Sequence, residues 1–122
     1  MKHQKNEIIF NALDFEPVRK IALNFSYASD SLSHYDTPSV KIKKSLLCRL
    51  NENGQWFVIR TDFESRIKFL EQYPESCFIT PHYQDYAYLC IYVNNYTITL
   101  LKEILQSGYD AIMTHKKSKQ NS

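Results

Sequence analysis

Apolar and polar residues alternate over residues 39–61, and this alternation predicts an antiparallel meander of three strands. The pair Asn53-Gly54 lies between two apolar runs and predicts a type I′ hairpin turn, because both central residues of that turn need a positive φ. A two-residue turn there places Leu50 opposite Phe57. Alternation assigns one face to the core: Val40, Ile42, Leu46, Cys48, Leu50, Phe57 and Ile59. The opposite face carries Lys41, Arg49, Trp56, Val58 and Arg60.

The first hairpin of this meander is predicted to turn at residues 43–45, which places Ile42 opposite Leu46. Before it, residues 27–36 are rich in Ser and Asp and predict a loop with room for one short strand.

The spacing of apolar residues changes to a helical period on both sides of the meander. A short first helix is predicted from an N-cap at Asp14 to about Asn24. Asp62 is predicted to cap a second helix whose buried stripe carries Phe63, Ile67 and Leu70. Thr97 is predicted to cap a third helix, with its buried line formed by Leu101, Leu105, Gly108 and Ile112.

Two further strands are predicted between the second and third helices. Residues 76–80 form a short apolar run, and residues 87–93 form a nearly continuous one that predicts a strand inside the sheet. The element order is α-β-β-β-α-β-β-α, which predicts one α+β domain with helices packed on an antiparallel sheet. The domain is predicted over residues 14–115, after a partly flexible segment 1–13 and before a disordered basic tail at 116–122.

The composition narrows the class of protein. The 122 residues include only two glycines, so neither a P-loop nor a dinucleotide-binding glycine loop can be written. There is no run of about 18 apolar residues, so we expect no membrane partner and a cytoplasmic location.

The cysteines and histidines do not form a recognisable site in the sequence. The three cysteines, Cys48, Cys77 and Cys90, are odd in number and lack C-x-x-C spacing, which predicts buried, reduced thiols. His3, His34 and His115 are scattered, and we expect neither a metal site nor a cofactor.

Positive charge is concentrated in the meander and the tail, although the net charge is only +2. The candidate nucleic-acid-binding residues are Lys41, Lys43, Lys44, Arg49, Arg60 and, as a stacking aromatic, Trp56. The alternative is a solvated basic face with Trp56 as ordinary core under a helix. Lys43 and Lys44 are expected to be exposed under either interpretation.

The loop after residue 80 is the other candidate region. His82 can be considered as a general base, but its sequence neighbours Tyr83, Asp85 and Tyr86 form no known catalytic motif. The simpler interpretation is that His82 and Tyr83 tie the loop to the sheet. The tyrosines of this region, with little charge around them, also fit a contact with another protein or a second copy of the chain.

Three motifs in order resemble a known family. They are Thr37-Pro38 followed by V-K-I and L-C-R-L-N-E-N-G, then F-I-T-P-H-Y-Q-D-Y-A-Y at 78–88, then L-L-K-E-I-L-Q-S-G-Y-D-A-I at 100–112. Together they resemble the MmcQ/YjbR family over roughly residues 14–115. The resemblance implies an α-β(3)-α-β(2)-α fold of the secretion-chaperone kind and DNA binding through projecting hairpin wings. Three places depart from the family pattern: Asp36 stands where it often has glycine, Lys43-Lys44-Ser45 where it often has a Gly-Lys turn, and near Tyr88 it commonly has Trp.

The leading hypothesis is therefore a small cytoplasmic protein that binds DNA weakly through phosphate contacts of the hairpin 41–49. The alternatives are a protein-interaction module or homodimer that uses the loop 82–88, and an enzyme centred on His82.

Overall fold

The computed structural model describes the backbone of residues 10–121 and the side chains of residues 10–114. Six strands form one antiparallel sheet in the order β1-β2-β3-β4-β6-β5. The strands are β1 (Ala28–Leu32), β2 (Pro38–Ile42), β3 (Ser45–Leu50), β4 (Trp56–Arg60), β5 (Cys77–Phe78) and β6 (Tyr88–Tyr92). The helices are α1 (Glu16–Ala22), α2 (Phe63–Gln72) and α3 (Ile98–Asn121). The α+β class and the antiparallel sheet are confirmed, and β1 occupies the short strand that the loop 27–36 had room for.

Helices α1 and α3 pack on one side of the sheet, which is the core face; the opposite side is called the outer face below. Gly108 on α3 lies directly against β4, and a Cβ at this position would overlap the main-chain carbonyl oxygen of Arg60. Beside this contact the hydroxyls of Thr61 and Ser107 are 2.6 Å apart. A glycine therefore allows α3 to approach the end of β4 closely.

The β3–β4 hairpin has the predicted register, but its turn differs from the predicted one. Leu50 pairs with Phe57, and strand β6 lies inside the sheet between β4 and β5, as expected. Gly54 has a positive φ of 75°, whereas Asn53 is not among the residues with positive φ. The type I′ prediction is wrong because one positive φ is not enough for it. Instead Gly54 N donates to Asn51 O, and the side chain of Asn53 accepts from Gln55 N.

A β-bulge changes the β2–β3 hairpin. Val40 pairs with Cys48 as predicted, but Lys41 pairs with Leu46 and Ile42 pairs with Ser45, so that Leu47 is the extra residue. The turn is the residue pair 43–44 rather than 43–45. The bulge moves Leu47 into the core in place of Leu46, which corrects the predicted core face at this position.

The helix termini agree with the predictions at two of three caps. Asp62 accepts from Ser65 N and Thr97 accepts from Leu100 N, which confirms both caps. Asp14 is not the cap of α1, because a 3₁₀ turn at Ala12–Phe15 precedes α1 and Asn11 caps that turn. The predicted stripe of α2 is also wrong: Phe63 and Ile67 are exposed, and Arg66 and Phe69 are buried instead.

The structure describes the two ends of the chain only in part. The helical backbone of α3 continues to Asn121, through most of the segment that was predicted to be a disordered tail. The side chains of residues 115–122 lie outside the described part of the chain, as do residues 1–9 and therefore most of the predicted flexible segment. All three cysteines are buried and free, as predicted.

Candidate functional site

A row of directly opposite residues crosses all six strands on the outer face, with Arg49 near its centre. The row is formed by Ser31, Ser39, Arg49, Val58, Cys90 and Phe78. Directly opposite residues in an antiparallel sheet point to the same side, so this row defines what the outer face presents. One half of the row is apolar and the other half is polar.

The apolar half is covered by the loop between β5 and β6. Val58, Cys90 and Tyr83 form a small buried cluster, and Trp56, Phe78 and Tyr88 pack around it. Trp56 meets the ring of Phe78 edge-on at 5.2 Å between centroids. The cover is thus this loop rather than a helix. Trp56 is part of a minor core and is only partly exposed.

Arg66 holds the covering loop in place from α2. The residue is 8% exposed, and its guanidinium donates to the main-chain carbonyls of Tyr83, Gln84, Tyr86 and Tyr88 at 2.7–3.2 Å. A planar guanidinium with five N–H donors is suited to binding several acceptors of one loop at once. The loop conformation therefore depends on Arg66, which is not among the candidate residues predicted from the sequence.

Arg49 does not project from the hairpin as predicted, because its side chain is buried. Its exposed fraction is 6%, and its Nη2 donates to the hydroxyl of Tyr83 at 2.8 Å. Its Nη1 donates to the main-chain oxygen of Leu50 and to Glu52 Oε1, both at 3.3 Å. The N–H of Nε and the second N–H of Nη2 make no hydrogen bond with the described residues.

Arg49 and Tyr83 form the floor of an open groove on the outer face, called the outer-face groove here. Its volume is about 460 Å³, and its lining residues are His34, Tyr35, Arg49, Asn51, Glu52, Trp56, Thr80, His82 and Tyr83. A smaller depression of about 270 Å³ adjoins it and shares His34, Arg49, His82 and Tyr83. The groove thus brings together Arg49 and Trp56 with His82 and Tyr83, which the sequence analysis had placed in separate sites.

One wall of the groove has an unusual backbone. Tyr35 and Asp36 have φ values of 60° and 61°, so two consecutive residues other than glycine are left-handed. This conformation costs of order 1 kcal/mol or more per residue and is concentrated at functional positions. It presents the Tyr35 ring, which is 76% exposed, beside the groove.

His82 also lines the groove but lacks the partners of a general base among the described residues. It is exposed, and its ring lies edge-on against Tyr83 at 4.6 Å between centroids. Within residues 10–114 its side chain makes no hydrogen bond. The simple expectation that His82 and Tyr83 tie the loop to the sheet holds for Tyr83, through its hydroxyl, and not for His82.

The predicted basic residues fall into two separate regions. Lys43 and Lys44 form the exposed tip of the β2–β3 hairpin, and the Lys43 ammonium lies 4.4 Å from the centroid of the Tyr27 ring. Lys41 is half-buried on the outer face below them. Arg60 lies elsewhere, beside a cavity of about 590 Å³ at the start of α2.

The hairpin tip lies next to α3. Lys43 and Lys44 share a groove of about 410 Å³ with Ile112 and Met113. From there the helix continues to Asn121 through a stretch whose sequence includes Lys116, Lys117 and Lys119. The hairpin tip therefore lies beside the described part of α3.

The groove residues His34, Tyr35 and Glu52 were not selected from the sequence, because nothing local shows that residues 34 and 82 face one groove. For Arg66 the sequence contained a weak indication of burial, because Arg66 lies three residues before Phe69 and thus on the same helix face.

Comparisons with known proteins identify no family: no protein-family model and no curated protein matches this chain. In the part of the chain that the structure describes, no three His, Cys, Asp or Glu side chains are grouped so that they could hold a metal ion. No helix in that part combines the length and the apolar character needed to cross a membrane.

Proposed function

We propose that this chain is a cytoplasmic protein of the MmcQ/YjbR family that binds nucleic acid, weakly and mainly through phosphates, at the tip of the β2–β3 hairpin. The observation that carries the proposal is the exposed Lys43-Lys44 turn beside α3, because neither ammonium group pairs with a carboxylate among the described residues. Lysines at a projecting turn can approach a phosphate backbone without clashing with the rest of the protein.

The backbone at two family positions supports the family assignment. The family often has glycine where this chain has Asp36, and a Gly-Lys turn where it has Lys43-Lys44-Ser45; Asp36 and Lys43 have positive φ, 61° and 59°. Left-handed backbone is the conformation for which glycine is preferred. Positive φ at Asp36 and within the 43–45 stretch is therefore consistent with the resemblance.

The binding mode follows from which basic side chains make no hydrogen bond or ion pair with the described residues. Arg49 is engaged by Tyr83 and Glu52, and Trp56 is packed on Phe78, so we leave both out of the proposed interface. Lys41, Lys43 and Lys44 remain and offer point charges rather than base-reading forks. Little sequence preference and a strong salt dependence follow.

The test is fluorescence anisotropy with a labelled random duplex and a labelled single strand, each at low and at moderate salt. The variant Lys41→Ala/Lys43→Ala/Lys44→Ala is compared with Lys20→Ala/Lys68→Ala/Lys102→Ala, which removes equal charge from exposed positions on the helices. We expect the hairpin variant to bind at least about tenfold more weakly, with a salt slope shallower by about one per lost phosphate contact. Equal losses in both variants, or no binding at low salt, would refute an interface at the hairpin.

The covering loop supports a second candidate, which is contact with another protein or a second copy of this chain. Tyr86 is 59% exposed at the centre of a loop that Arg66 holds from beneath. A preorganised loop loses little entropy when it binds, which favours protein contacts. Sedimentation at increasing protein concentration tests self-association: a mass that rises for the wild type and not for Tyr86→Ser supports it, and a constant monomer mass contradicts it.

A further inference from the structure

The outer-face groove has the chemistry of a site for a small anionic ligand, separate from the hairpin tip. Arg49 lines the groove, and its buried guanidinium has N–H donors that make no hydrogen bond with the described residues. The volume of about 460 Å³ lies in the range of small-molecule sites. Buried, partly desolvated guanidinium groups bind phosphate and carboxylate more strongly than exposed lysines do.

Within the described residues, Glu52 is the only carboxylate that contacts Arg49, and its contact leaves guanidinium donors available for a more tightly bound anion. Glu52 contacts one guanidinium nitrogen at 3.3 Å, and its side chain is 43% exposed. A phosphate can use the free N–H groups of Nε and Nη2, which Glu52 does not contact. Glu52 therefore competes in part with an anionic ligand for the guanidinium of Arg49.

Polar groups without a partner are also found on this face. Two buried side-chain atoms in the described part of the chain make no hydrogen bond, Ser39 Oγ and Trp56 Nε1. Ser39 is directly opposite Arg49, and Trp56 lines the groove. Unpaired buried polar atoms are rare and costly, and here one belongs to the residue paired with Arg49 and the other to a residue that lines the groove with Arg49.

The lining of the groove includes aromatic rings. His82 and Tyr35 both line it, and Asn51 offers an amide oxygen as an acceptor. An aromatic base stacks on such rings and can donate its amino group to such an oxygen. A phosphate for Arg49, a stacked ring and an amino group for Asn51 together describe a nucleotide.

We infer that the outer-face groove binds a nucleoside monophosphate unit, with the phosphate on Arg49 and the base stacked on the aromatic rings of the lining, those of His82 and Tyr35. The unit can be a free mononucleotide or the phosphorylated end of a strand. This inference does not rest on the proposed hairpin interface, because none of the hairpin lysines lines the groove.

The chain provides its own probe, since Trp56 is the single tryptophan and lines the groove. The experiment titrates the full chain with AMP, adenosine and inorganic phosphate and follows Trp56 fluorescence. We expect AMP to change the emission at up to about 10 mM and adenosine and phosphate to bind at least about tenfold more weakly. No response to AMP in fluorescence or in the NMR signal of the indole N–H would overturn the inference.

The variants separate a ligand site from a merely structural cluster. Glu52→Gln removes the competing charge and should strengthen AMP binding about threefold, whereas His82→Ala removes a stacking wall and should weaken it by a similar factor. Both residues are at least partly exposed, so both variants should fold. Weaker AMP binding by Glu52→Gln would contradict the assignment of the anion to Arg49.

A matched control keeps this inference distinct from the hairpin proposal. Lys43→Ala/Lys44→Ala should leave AMP binding unchanged, and an equal loss in this variant would refute a separate site. A short oligonucleotide with a terminal phosphate is compared with the same strand without it. Tighter binding of the phosphorylated strand than of AMP assigns the groove to strand ends, and the reverse order assigns it to free nucleotides; either order supports the inference.

Discussion

Arg49 on β3 and Tyr83 in the covering loop are joined by a 2.8 Å hydrogen bond from Nη2 to the phenolic oxygen, across 34 positions of the sequence. This bond connects the sheet to the loop that covers its apolar half. Both side chains are buried, so breaking the bond would leave a guanidinium N–H and a phenolic hydroxyl largely shielded from water. The floor of the outer-face groove is therefore fixed by one side-chain pair.

Replacing Tyr83 by Phe tests the contribution of this bond. The variant keeps the ring in its cluster with Val58 and Cys90 but leaves a guanidinium N–H without its acceptor. We expect the free energy of unfolding in urea to fall by about 1–2 kcal/mol. Tyr86→Phe is the matched control, since Tyr86 is 59% exposed and should change stability by less than about 0.5 kcal/mol. Equal effects of the two variants would contradict the structural role of the Tyr83 hydroxyl.

Replacing Arg66 by Met tests the loop clamp. Met preserves most of the packing volume but leaves the main-chain carbonyls of residues 83, 84, 86 and 88 without their donor. We expect stability to fall by about 2–3 kcal/mol and the amides of the covering loop to exchange hydrogen faster. Lys68→Met, at an exposed position on the same helix, should leave both quantities nearly unchanged. Unchanged exchange in the loop of Arg66→Met would show that the loop is held by other contacts.

Spacing and turn residues were sufficient to predict the pairing of β3 with β4. A turn centred on Asn53-Gly54 implies the register that pairs Leu50 with Phe57 and buries both, and the structure has this register. The predicted turn type was wrong because a wider loop can connect the same register. The pattern thus predicts which residues pair more reliably than how the chain turns between them.

The bulge at Leu47 and the buried face of α2 were not predictable in the same way. Leu46 and Leu47 are adjacent leucines, so alternation alone cannot tell which one enters the core. On α2 the apolar Phe63 and Ile67 are exposed while the charged Arg66 is buried, because the loop carbonyls give Arg66 partners that sequence does not reveal. The outer-face groove depends on that same loop, and it was therefore missed.

Replacing Gly108 by Ala has two opposing effects on the free energy of unfolding. In an exposed helix the change would stabilise by about 1 kcal/mol, since alanine has the higher helix propensity. Here the added Cβ overlaps the carbonyl oxygen of Arg60, which is main chain and cannot rotate away. We expect a net loss of about 1–3 kcal/mol in urea unfolding. Lys102→Ala, an exposed position on α3, is the control and should have a small effect; a stabilised Gly108→Ala protein would mean that α3 does not lie this close to β4.

The buried thiols predict a loss of stability at alkaline pH. Burial raises the pKa of Cys77 and of Cys90 to about 12, from an ordinary value of 9.0. Above pH 9 the unfolded chain releases thiol protons that the folded chain retains, so the stability contributed by the neutral thiols falls as pH rises from about 9 to about 12. Tyrosines titrate over the same range, so the measurement compares urea unfolding of the wild type and of Cys77→Ala/Cys90→Ala between pH 8 and about 10.5.

We expect the wild type to lose stability more steeply with pH than the double variant, by up to one proton per thiol removed. A thiol reagent at neutral pH gives an independent check, because the native protein should react slowly and the unfolded protein should show all three cysteines. Parallel pH profiles together with fast labelling of the native protein would contradict the burial of these thiols.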